Sequence, residues 1–382
     1  MPATDDLATA VGIDRAASAS ESLRIAPAQY SVCTGVGDRL EAFLRDRPGI
    51  DSTVVIGGDR GTAAVRDELD AAFDGTGVEA RYRSFDGECT VPAVRRHREE
   101  GDGAPTPDLV VGVGGGKALD TAKLAAEGRC PVVTIPTSAA TSAAWAALSV
   151  VYDDDGCYRG GVRLTTCPDA LLFDPSLVAE APARYLANGV MDASAKFFET
   201  SLIDRDEIGP LASLGRSVAE DLYARPLRDY AAIAVADARD GAVTPALEAV
   251  SEAAIAGPGV AAGLLSDRTY LTMPHVFCYT LLPYGSVQAD SFHGERVAYG
   301  VLVLQALLGR EPHDLRTLKR WYESLGPSMT LAGLGAGGVS VDRLGRAVHD
   351  TLAFNLLPRS VSATDVIAAI ETVEATTTGP DS

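Results

Sequence analysis

One stretch, DLVVGVGGGKALDTAK at residues 108–123, constrains the fold of this chain most strongly. The apolar, largely β-branched run at residues 109–113 predicts a short strand that is buried on both faces, as in a parallel sheet. Three consecutive glycines follow, so the backbone can turn sharply and bring its N–H groups close to a diphosphate. A helix pattern starts at Lys117, and its positive N-terminal end would face the anion. The alternative is a strand-to-helix turn that binds nothing.

The first half of the chain repeats this alternation of strands and helices. Apolar runs at residues 53–56, 131–135 and 170–173 have the length and composition of buried strands, and helical patterns separate them. Strands that alternate with helices between residues 50 and 175 predict a mostly parallel, doubly wound sheet. We therefore expect a Rossmann-like α/β domain in this half.

Alanine and helical periodicity dominate after about residue 181, which predicts an all-α domain. The expected helices lie near residues 182–200, 207–224, 228–240, 244–266, 293–308, 312–325, 341–353 and 362–374. The predicted organisation is a flexible tail at residues 1–20, a dinucleotide-binding α/β domain at residues 21–178 and a helical metal- and substrate-binding domain at residues 179–382.

Charge and cysteine content limit the expected partners and compartment. The 382 residues carry a formal charge of −19, which disfavours nucleic acid and anionic membranes as partners. We find neither a transmembrane-length apolar run nor a signal-peptide pattern. Six cysteines without a C-x-x-C pair favour reduced thiols in a cytoplasmic protein. Only four of the 33 basic residues are lysine, which either a salt-rich cytoplasm or GC-rich coding would explain.

Polar residues near the predicted strand ends are candidates for holding a dinucleotide, because open α/β sheets bind ligands at that edge. A carboxylate at Asp59 can accept hydrogen bonds from a ribose diol and repels a 2′-phosphate, which favours NAD, although neighbouring loops could still accept NADP. Asp59 and Asp120 could instead only cap their helices. The candidate cofactor residues are Asp59, Gly114, Gly115, Gly116, Lys117, Asp120, Thr137, Ser138 and Thr141.

Two histidines and one aspartate in apolar surroundings form a second set of candidates. Asp192 lies in the helical pattern GVMDASAKFFE, His275 in the segment TMPHVFCY, and His293 opens the helix HGERVAYG. These side chains need partners if buried, and two imidazoles with one carboxylate would suit catalytic zinc. Satisfied core residues are the alternative, because spacing alone cannot join residues 83 positions apart. By contrast, His97 and His313 lie in charged helices and are expected to be solvated.

Taken together, these stretches resemble the iron-containing (group III) alcohol dehydrogenase superfamily, most closely its glycerol dehydrogenase-like branch. The resemblance rests on GGGKALDTAK at residues 114–123, IPTS at 135–138, LSVVY at 148–152, GVMDASAKFFE at 189–199 and HGERVAYG at 293–300. It implies the two-domain fold that this superfamily shares with dehydroquinate synthase, with NAD(P) in the cleft. A homo-oligomer is also implied.

The resemblance further implies roles for individual residues. Asp192, His275 and His293 match the positions of the family's metal ligands. Asp59 and the glycine turn would hold the dinucleotide. Thr137 and Thr141 would lie near the nicotinamide.

Three positions depart from the family pattern. Lys196 stands four residues after the aspartate, where other iron-type members have a further histidine, and this favours a zinc-type site with three ligands. Ser142 stands where glycerol dehydrogenases carry a polyol-binding aspartate, and with nearby Trp145 it is a candidate substrate residue. That segment is more similar to hydroxycarboxylate dehydrogenase-like relatives, so glycerol is not favoured as the substrate. Cys278 replaces a second histidine found in many members.

The predicted function is that of a metal-dependent, NAD(P)-linked alcohol dehydrogenase. The metal would polarise the oxygen of a small polyol or 2-hydroxy acid while hydride passes to the nicotinamide. One alternative is an NAD-retaining lyase or cyclase similar to 3-dehydroquinate synthase, although the basic phosphate pocket of those enzymes is not evident. The other is a catalytically silent nucleotide-binding paralogue. The expected partners are a small alcohol or carbonyl substrate and further copies of the chain.

Overall fold

The computed structural model describes residues 4–13, 23–99, 105–203, 208–265, 272–351 and 360–378. The strands are β1 (Gln29–Val32), β2 (Ser52–Gly57), β3 (Glu79–Ser84), β4 (Leu109–Gly114), β5 (Val132–Pro136), β6 (Leu148–Tyr152), β7 (Tyr158–Arg163) and β8 (Ala170–Phe173). The first eight helices are α1 (Thr4–Ala10), α2 (Gly37–Arg45), α3 (Asp59–Thr76), α4 (Val91–Arg98), α5 (Gly116–Ala126), α6 (Pro175–Glu180), α7 (Ala183–Thr200) and α8 (Pro210–Leu222). The others are α9 (Arg228–Arg239), α10 (Pro245–Leu265), α11 (Met273–Leu281), α12 (Val287–Asp290), α13 (His293–Leu307), α14 (Pro312–Ser324), α15 (Val341–Thr351) and α16 (Ala363–Ala375).

Six strands form one parallel sheet in the order β1-β8-β5-β4-β2-β3. Its central strands β2, β4 and β5 are buried along almost their whole length, which explains their nearly continuous apolar sequences. The register pairs Gly57 with Val113 and Gly114 with Pro136, so these three strands end at the same edge of the sheet. The predicted doubly wound α/β fold is confirmed.

Strands β6 and β7 form a separate antiparallel hairpin. The sequence predicts β6 but not β7, because YRGGVR contains two glycines and two arginines and lacks a strand pattern. The backbone N–H of Tyr152 donates to the carbonyl oxygen of Cys89 at 2.9 Å, which ties the hairpin to the α/β domain. At the other side, the ring of Tyr158 stacks on that of Tyr279 in α11, with centroids 3.8 Å apart. The hairpin therefore bridges the two domains.

The prediction of a flexible tail is wrong for residues 4–10, which form helix α1. Leu7 and Val11 are buried and share an apolar cluster with Val151 and Val162 of the hairpin. This helix has only seven residues, so its apolar face is too short a pattern to indicate packing from the sequence. Residues 14–20 of the predicted tail lie outside the described residues.

Helices α6 to α16 form the second domain, and each of the eight predicted helices has an observed counterpart. The end of the helix predicted at residues 341–353 lies outside the described residues. Helical packing starts with α6 at Pro175, slightly before the predicted boundary at residue 179. Helix α11, which carries His275, was not predicted. Across the described ranges, none of the helices combines the length and the apolar surface that crossing a bilayer requires.

Helices α7 and α13 approach closely because Gly294 lies at their contact. A Cβ atom on Gly294 would lie 2.0 Å from the carbonyl oxygen of Asn188. The side-chain Oδ1 of Asn188 also accepts a hydrogen bond from the N–H of Gly294. These contacts hold the first turn of α13 against α7. On α7, Gly189 lets the loop after β5 approach, because its Cβ would lie 1.7 Å from the carbonyl oxygen of Ala139.

Two expectations about single residues have different outcomes. The six cysteines are all unpaired, as predicted. His97, expected to be solvated, is only 8% exposed. Burial, followed by the charges of Arg96 and Arg83, lowers the pKa of His97 to about 4. The charged residues next to His97 in the sequence lie on other faces of α4, so their presence does not indicate that the imidazole is exposed.

Candidate metal and nucleotide site

A cleft runs between the carboxyl edge of the parallel sheet and the helical domain. Its volume of about 2250 Å³ exceeds the roughly 300–1,000 Å³ of a pocket for one small ligand. Loops after β2, β4 and β5 border one part of it, including Asp59, Gly114 and Thr137. Asp192 and His275 border another. A cleft of this size has room for a dinucleotide together with a substrate.

Side chains have little space at two glycines of the turn after β4 and at the start of α3. Gly114 has a φ angle of +135°, in the region that favours glycine. A Cβ atom on Gly116 would lie 2.8 Å from Oγ1 of Thr141, and one on Gly61 would lie 3.2 Å from Oγ1 of Thr137. Glycine at these positions keeps the backbone at the start of α5 open to the cleft, as a diphosphate site requires.

The structure brings the other predicted dinucleotide residues to the same region. Asp59 begins α3 directly after β2, and its Oδ1 accepts a hydrogen bond from Oγ of Ser84 at 2.7 Å. Ser138 borders the cleft beside Gly115. Thr141 also borders the cleft, and its Oγ1 accepts a hydrogen bond from the N–H of Ala143 at 3.3 Å. Their contact with a nucleotide stays a prediction.

The side chains of Lys117 and Asp120 have partners within the protein. Nζ of Lys117 forms an ion pair with Glu88. Asp120 is buried, its Oδ2 accepts a hydrogen bond from the N–H of Val150 at 3.1 Å, and its Oδ1 lies 3.0 Å from Nζ of Lys123. Asp120 thus lies within α5 and connects it to the hairpin without capping the helix, and its cofactor role stays a prediction.

The two candidate substrate residues lie in different surroundings. Ser142 borders the cleft. Trp145 is only 6% exposed, its Nε1 donates a hydrogen bond to the carbonyl oxygen of Ile25 at 2.8 Å, and its ring packs edge-on against Tyr30. The indole of Trp145 thus anchors the segment before β1 in the core, and its contact with a substrate stays a prediction.

Asp192, His275 and His293 converge in the cleft although they lie on three helices, α7, α11 and α13. Nε2 of His275 lies 3.4 Å from Oδ1 of Asp192, and Nε2 of His293 lies 3.3 Å from the same oxygen. One donor atom of each residue lies within 4.8 Å of the other two. The predicted set is thus assembled, and the binding of a metal to it stays a prediction.

The outer nitrogens of both imidazoles contact buried groups. Nδ1 of His275 lies 2.6 Å from Oε1 of Glu199, which is fully buried on α7. Nδ1 of His293 lies 3.4 Å from Sγ of Cys278. A histidine that donates its Nδ1–H outward presents the lone pair of Nε2 inward, as a metal ligand must.

The carboxylate of Glu199 accepts contacts from two further hydrogen-bond donors. Nζ of Lys196 lies 2.8 Å from Oε2 of Glu199, and the hydroxyl of Thr272 donates to Oε1. Lys196 also borders the cleft, where 14% of its side chain is exposed. A buried ion pair therefore lies directly behind His275.

The charges in the cluster shift one another's pKa values. Burial raises the pKa of Asp192, but the two imidazoles outweigh burial and hold it well below its usual value. Burial lowers the pKa of both histidines. The charge of Glu199, together with hydrogen bonds to Asp192 and Glu199, outweighs this effect and raises the pKa of His275 to about 9. Cys278 and Asp192 together raise the pKa of His293 to about 10. Both imidazoles are therefore positively charged at neutral pH, and a cation that binds Nε2 would displace the proton on that nitrogen.

Sequence reasoning missed Glu199 as a site residue, although the family motif ends on it. A usable signal was present, because residues 192, 196 and 199 fall on one face of a helix at i, i+4 and i+7. The sequence contains no comparable signal for the stacking of Tyr158 on Tyr279. Their contact joins residues 121 positions apart and depends on the hairpin.

Comparison with known proteins identifies the family. A family model described as iron-containing alcohol dehydrogenase matches residues 27–175. Hydroxycarboxylate dehydrogenase A of Escherichia coli (strain K12) is 33% identical over 361 residues, which cover 92% of this chain and 96% of that protein. Glycerol dehydrogenase of Thermotoga maritima is 32% identical over 308 residues, which cover 78% and 83%. The crystal structure of glycerol dehydrogenase from Schizosaccharomyces pombe has a TM-score of 0.82 at 24% identity and covers 94% of this chain and 92% of that chain.

The fold and the relatives define an oxidoreductase that acts on an alcohol group. The chain belongs to the iron-containing alcohol dehydrogenase family, in its glycerol dehydrogenase-like branch. The predicted fold, family and enzyme class are confirmed. The dehydrogenase is also favoured over the lyase and the silent-paralogue alternatives.

Proposed function

We propose that this chain is a zinc-dependent dehydrogenase that transfers hydride between a small polyol or 2-hydroxy acid and NAD. The observation that carries the proposal is the convergence of Asp192, His275 and His293 within 4.8 Å, in the cleft that the glycine turn also borders. Relatives named glycerol dehydrogenase and hydroxycarboxylate dehydrogenase support a small hydroxylated substrate.

The donor set suits zinc. Two imidazole nitrogens and one carboxylate oxygen are typical ligands of catalytic zinc, which keeps a fourth position open. Lys196 follows Asp192 by one helical turn, and its ammonium has no lone pair, so it adds no fourth protein ligand. When bound, the ion supplies a Lewis acid for the substrate oxygen, and the nicotinamide supplies the hydride acceptor.

The chain's own residues orient these ligands for binding. Oε1 of Glu199 accepts a hydrogen bond from the Nδ1–H of His275, and this bond restrains the rotation of the imidazole ring. The ring of Tyr279 lies 5.7 Å from that of His293, measured between centroids, and Tyr158 of the hairpin stacks on it. These two aromatic rings cover the site from the hairpin side and limit the access of water.

Asp59 and the glycine turn support NAD as the cofactor. The carboxylate of Asp59 follows β2 beside Ser84, at the sheet edge where a ribose diol is bound in folds of this kind. A 2′-phosphate at this place would meet a like charge. We therefore expect NADH to bind at least ten times more tightly than NADPH.

Metal analysis of the purified protein, combined with NADH and NADPH titrations followed by fluorescence, tests this function. We expect about one zinc per chain, tight NADH binding and oxidation of a small alcohol with NAD. His293→Ala should lower metal content and turnover together. Nucleotide binding without any metal after zinc is added back, or full activity of His293→Ala, would contradict the assignment of the metal site.

A cytoplasmic location and a homo-oligomeric state also stay predictions. The first rests on the unpaired cysteines, and the second on the family resemblance alone. Light scattering on the eluting protein would determine the number of chains in the assembly.

A further inference from the structure

We propose that Asn188 sets the distance across which hydride is transferred, because its side chain joins the loop after β5 to the first turn of α13. The inference rests on the proposed function, in which the loop at residues 137–142 lies beside the nicotinamide and His293 helps to hold the metal. It adds a positioning residue that neither ligates the metal nor reacts.

The loop after β5 is fixed to the glycine turn of the dinucleotide site. The backbone N–H of Thr137 donates a hydrogen bond to the carbonyl oxygen of Gly114 at 3.1 Å. Thr141 packs against Gly116, where a Cβ atom would lie 2.8 Å from Oγ1 of the threonine. Both threonines border the cleft. A shift of this loop would therefore move one wall of the space that the dinucleotide is expected to occupy.

The same loop packs directly on α7. A Cβ atom on Gly189 would lie 1.7 Å from the carbonyl oxygen of Ala139, so the loop and the helix touch through their backbones. Asn188, the preceding residue of α7, is only 4% exposed. Its Nδ2 donates a hydrogen bond to the carbonyl oxygen of Ala140 at 2.9 Å. The amide of Asn188 thus holds the loop from the side of the helical domain.

The oxygen of the same amide holds α13. Oδ1 of Asn188 accepts a hydrogen bond from the N–H of Gly294, the residue that follows His293. That N–H lies in the first turn of α13, where backbone donors have no partner within the helix itself. Asn188 supplies the missing acceptor. The bond therefore fixes the turn that carries one of the metal-ligand candidates.

An asparagine is suited to this double contact. The N–H of Gly294 can only donate and the carbonyl oxygen of Ala140 can only accept, so the two partners determine which way the amide points. Because both contacts use one planar group, a rotation that lengthens one hydrogen bond also spoils the geometry of the other. The separation of the loop from α13 is therefore set by the width of a single amide.

Hydride transfer is sensitive to this separation. Reacting atoms must approach to about 3–3.5 Å, and a displacement of about 1 Å can slow a reaction about 100-fold. In the proposed function, the nicotinamide lies on the loop side of Asn188 and the substrate lies on the side of His293. Loss of the Asn188 side chain should therefore slow hydride transfer, while both binding sites keep their own residues.

Single-turnover reduction by NADH tests the inference on the zinc-loaded enzyme. The probe is the compound that the wild-type protein reduces fastest among glycolaldehyde, dihydroxyacetone, glyoxylate and pyruvate. Asn188→Leu keeps the approximate shape of the side chain. Asn188→Ala leaves space in which a water molecule can satisfy both backbone groups, so that the fold is kept.

We expect the hydride-transfer rate to fall at least about tenfold in each folded variant at saturating zinc, NADH and probe. A smaller decrease would overturn the inference and leave the dehydrogenase function intact. A wild-type protein that reduces none of the four probes would refute the proposed function itself.

Binding measurements distinguish positioning from the loss of a site. The dissociation constants of NADH, from fluorescence titration, and of zinc, from competition with a chromogenic chelator, should stay within about fivefold of the wild type in Asn188→Ala. NADH deuterated at the transferred hydrogen should lower the single-turnover rate of both proteins, which shows that the hydride step is measured. A loss of rate that is matched by an equal loss of NADH or zinc affinity would contradict the positioning role.

Ser194→Ala is the matched control on the same helix. Ser194 is also a buried polar side chain of α7, and its Oγ lies 2.9 Å from the hydroxyl of Tyr322 in α14, within the helical domain. This variant should keep the hydride-transfer rate of the wild type, and an equal loss of rate would argue against a specific role of Asn188. Hydrogen exchange of the Gly294 amide, followed by mass spectrometry, should be faster in both Asn188 variants. Exchange as slow as in the wild type would disprove the link to α13 on which the inference depends.

Discussion

Replacing Glu199 by glutamine tests how much the buried carboxylate contributes to metal binding. Glutamine keeps the size of the side chain and one oxygen acceptor, but it removes the negative charge that lies 2.6 Å from Nδ1 of His275. The perturbation leaves Asp192 and His293 unchanged. It therefore removes the charge behind one ligand, together with the ion pair to Lys196, while the three metal ligands themselves are kept.

The expected loss of zinc affinity is about 10- to 100-fold. A hydrogen bond to a charged acceptor contributes about 1.5–3 kcal/mol and a neutral one about 0.5–1.5 kcal/mol, so removing the charge costs about 1–2 kcal/mol. Burial of Glu199 places the effect toward the upper end, because no solvent screens the contact. Outer partners of metal-bound histidines change affinity by about 10–100-fold, which is about 1.4–2.7 kcal/mol.

Competition with a chromogenic zinc chelator at fixed pH provides the assay. Glu127→Gln is a matched control, since Glu127 is also a buried glutamate and accepts a hydrogen bond from the N–H of Thr165, but it belongs to the α/β domain. The control should keep the affinity of the wild-type protein. Circular dichroism of both apo variants would show that the fold is retained. A zinc affinity of Glu199→Gln within twofold of the wild type would refute the reasoning.

Three further predictions concern the fold around the site. Gly294→Ala should lower the free energy of unfolding by at least about 2 kcal/mol and weaken zinc binding, because the new Cβ would lie 2.0 Å from the carbonyl oxygen of Asn188 and push His293 away. Wild-type behaviour in thermal unfolding and zinc titration would disprove this close contact. The pKa of His97 is about 4 in the folded chain, so as pH falls below about 6.5 the unfolded chain binds a proton there that the folded chain does not. The free energy of unfolding should therefore drop by up to about 3 kcal/mol between pH 6.5 and pH 4. Urea unfolding at each pH should show that His97→Gln removes this part of the decline. Trp145→Phe should lower the free energy of unfolding by about 1–3 kcal/mol through the lost hydrogen bond to Ile25, and it should leave the KM of the substrate unchanged. A KM increase of more than threefold would instead support Trp145 as a substrate residue.

Local patterns in the sequence predicted the α/β half well. The apolar runs at β2, β4, β5 and β8 have the length and period of buried strands, and the glycines after β4 indicate a turn without side chains. These features depend on neighbouring residues alone. The same reasoning predicted eight helices of the second domain to within a few residues at most ends, but it did not predict α11.

The metal candidates required more than local information. His275 and His293 are candidate site residues because they are polar groups in apolar segments, but their spacing in the sequence does not predict that they lie near Asp192. Only the resemblance to a family made them one site, and the structure brought them together through the contact of α7, α11 and α13. Glu199 lies within one of the family motifs, but the sequence does not predict its partner, because an acid on a helix face gives no sign of what it contacts.

By itself, the sequence determined the order and type of the main elements, the glycine turn and the polar groups that must find partners when buried. The tertiary structure alone decided that α1 covers the hairpin, that Trp145 lies in the core and that Lys196 and Glu199 form a pair behind His275. The physical reason is the range of the interactions. Secondary structure follows from patterns over a few residues, whereas burial and charge pairing depend on which distant surfaces meet, and those contacts are chosen by packing of the whole chain.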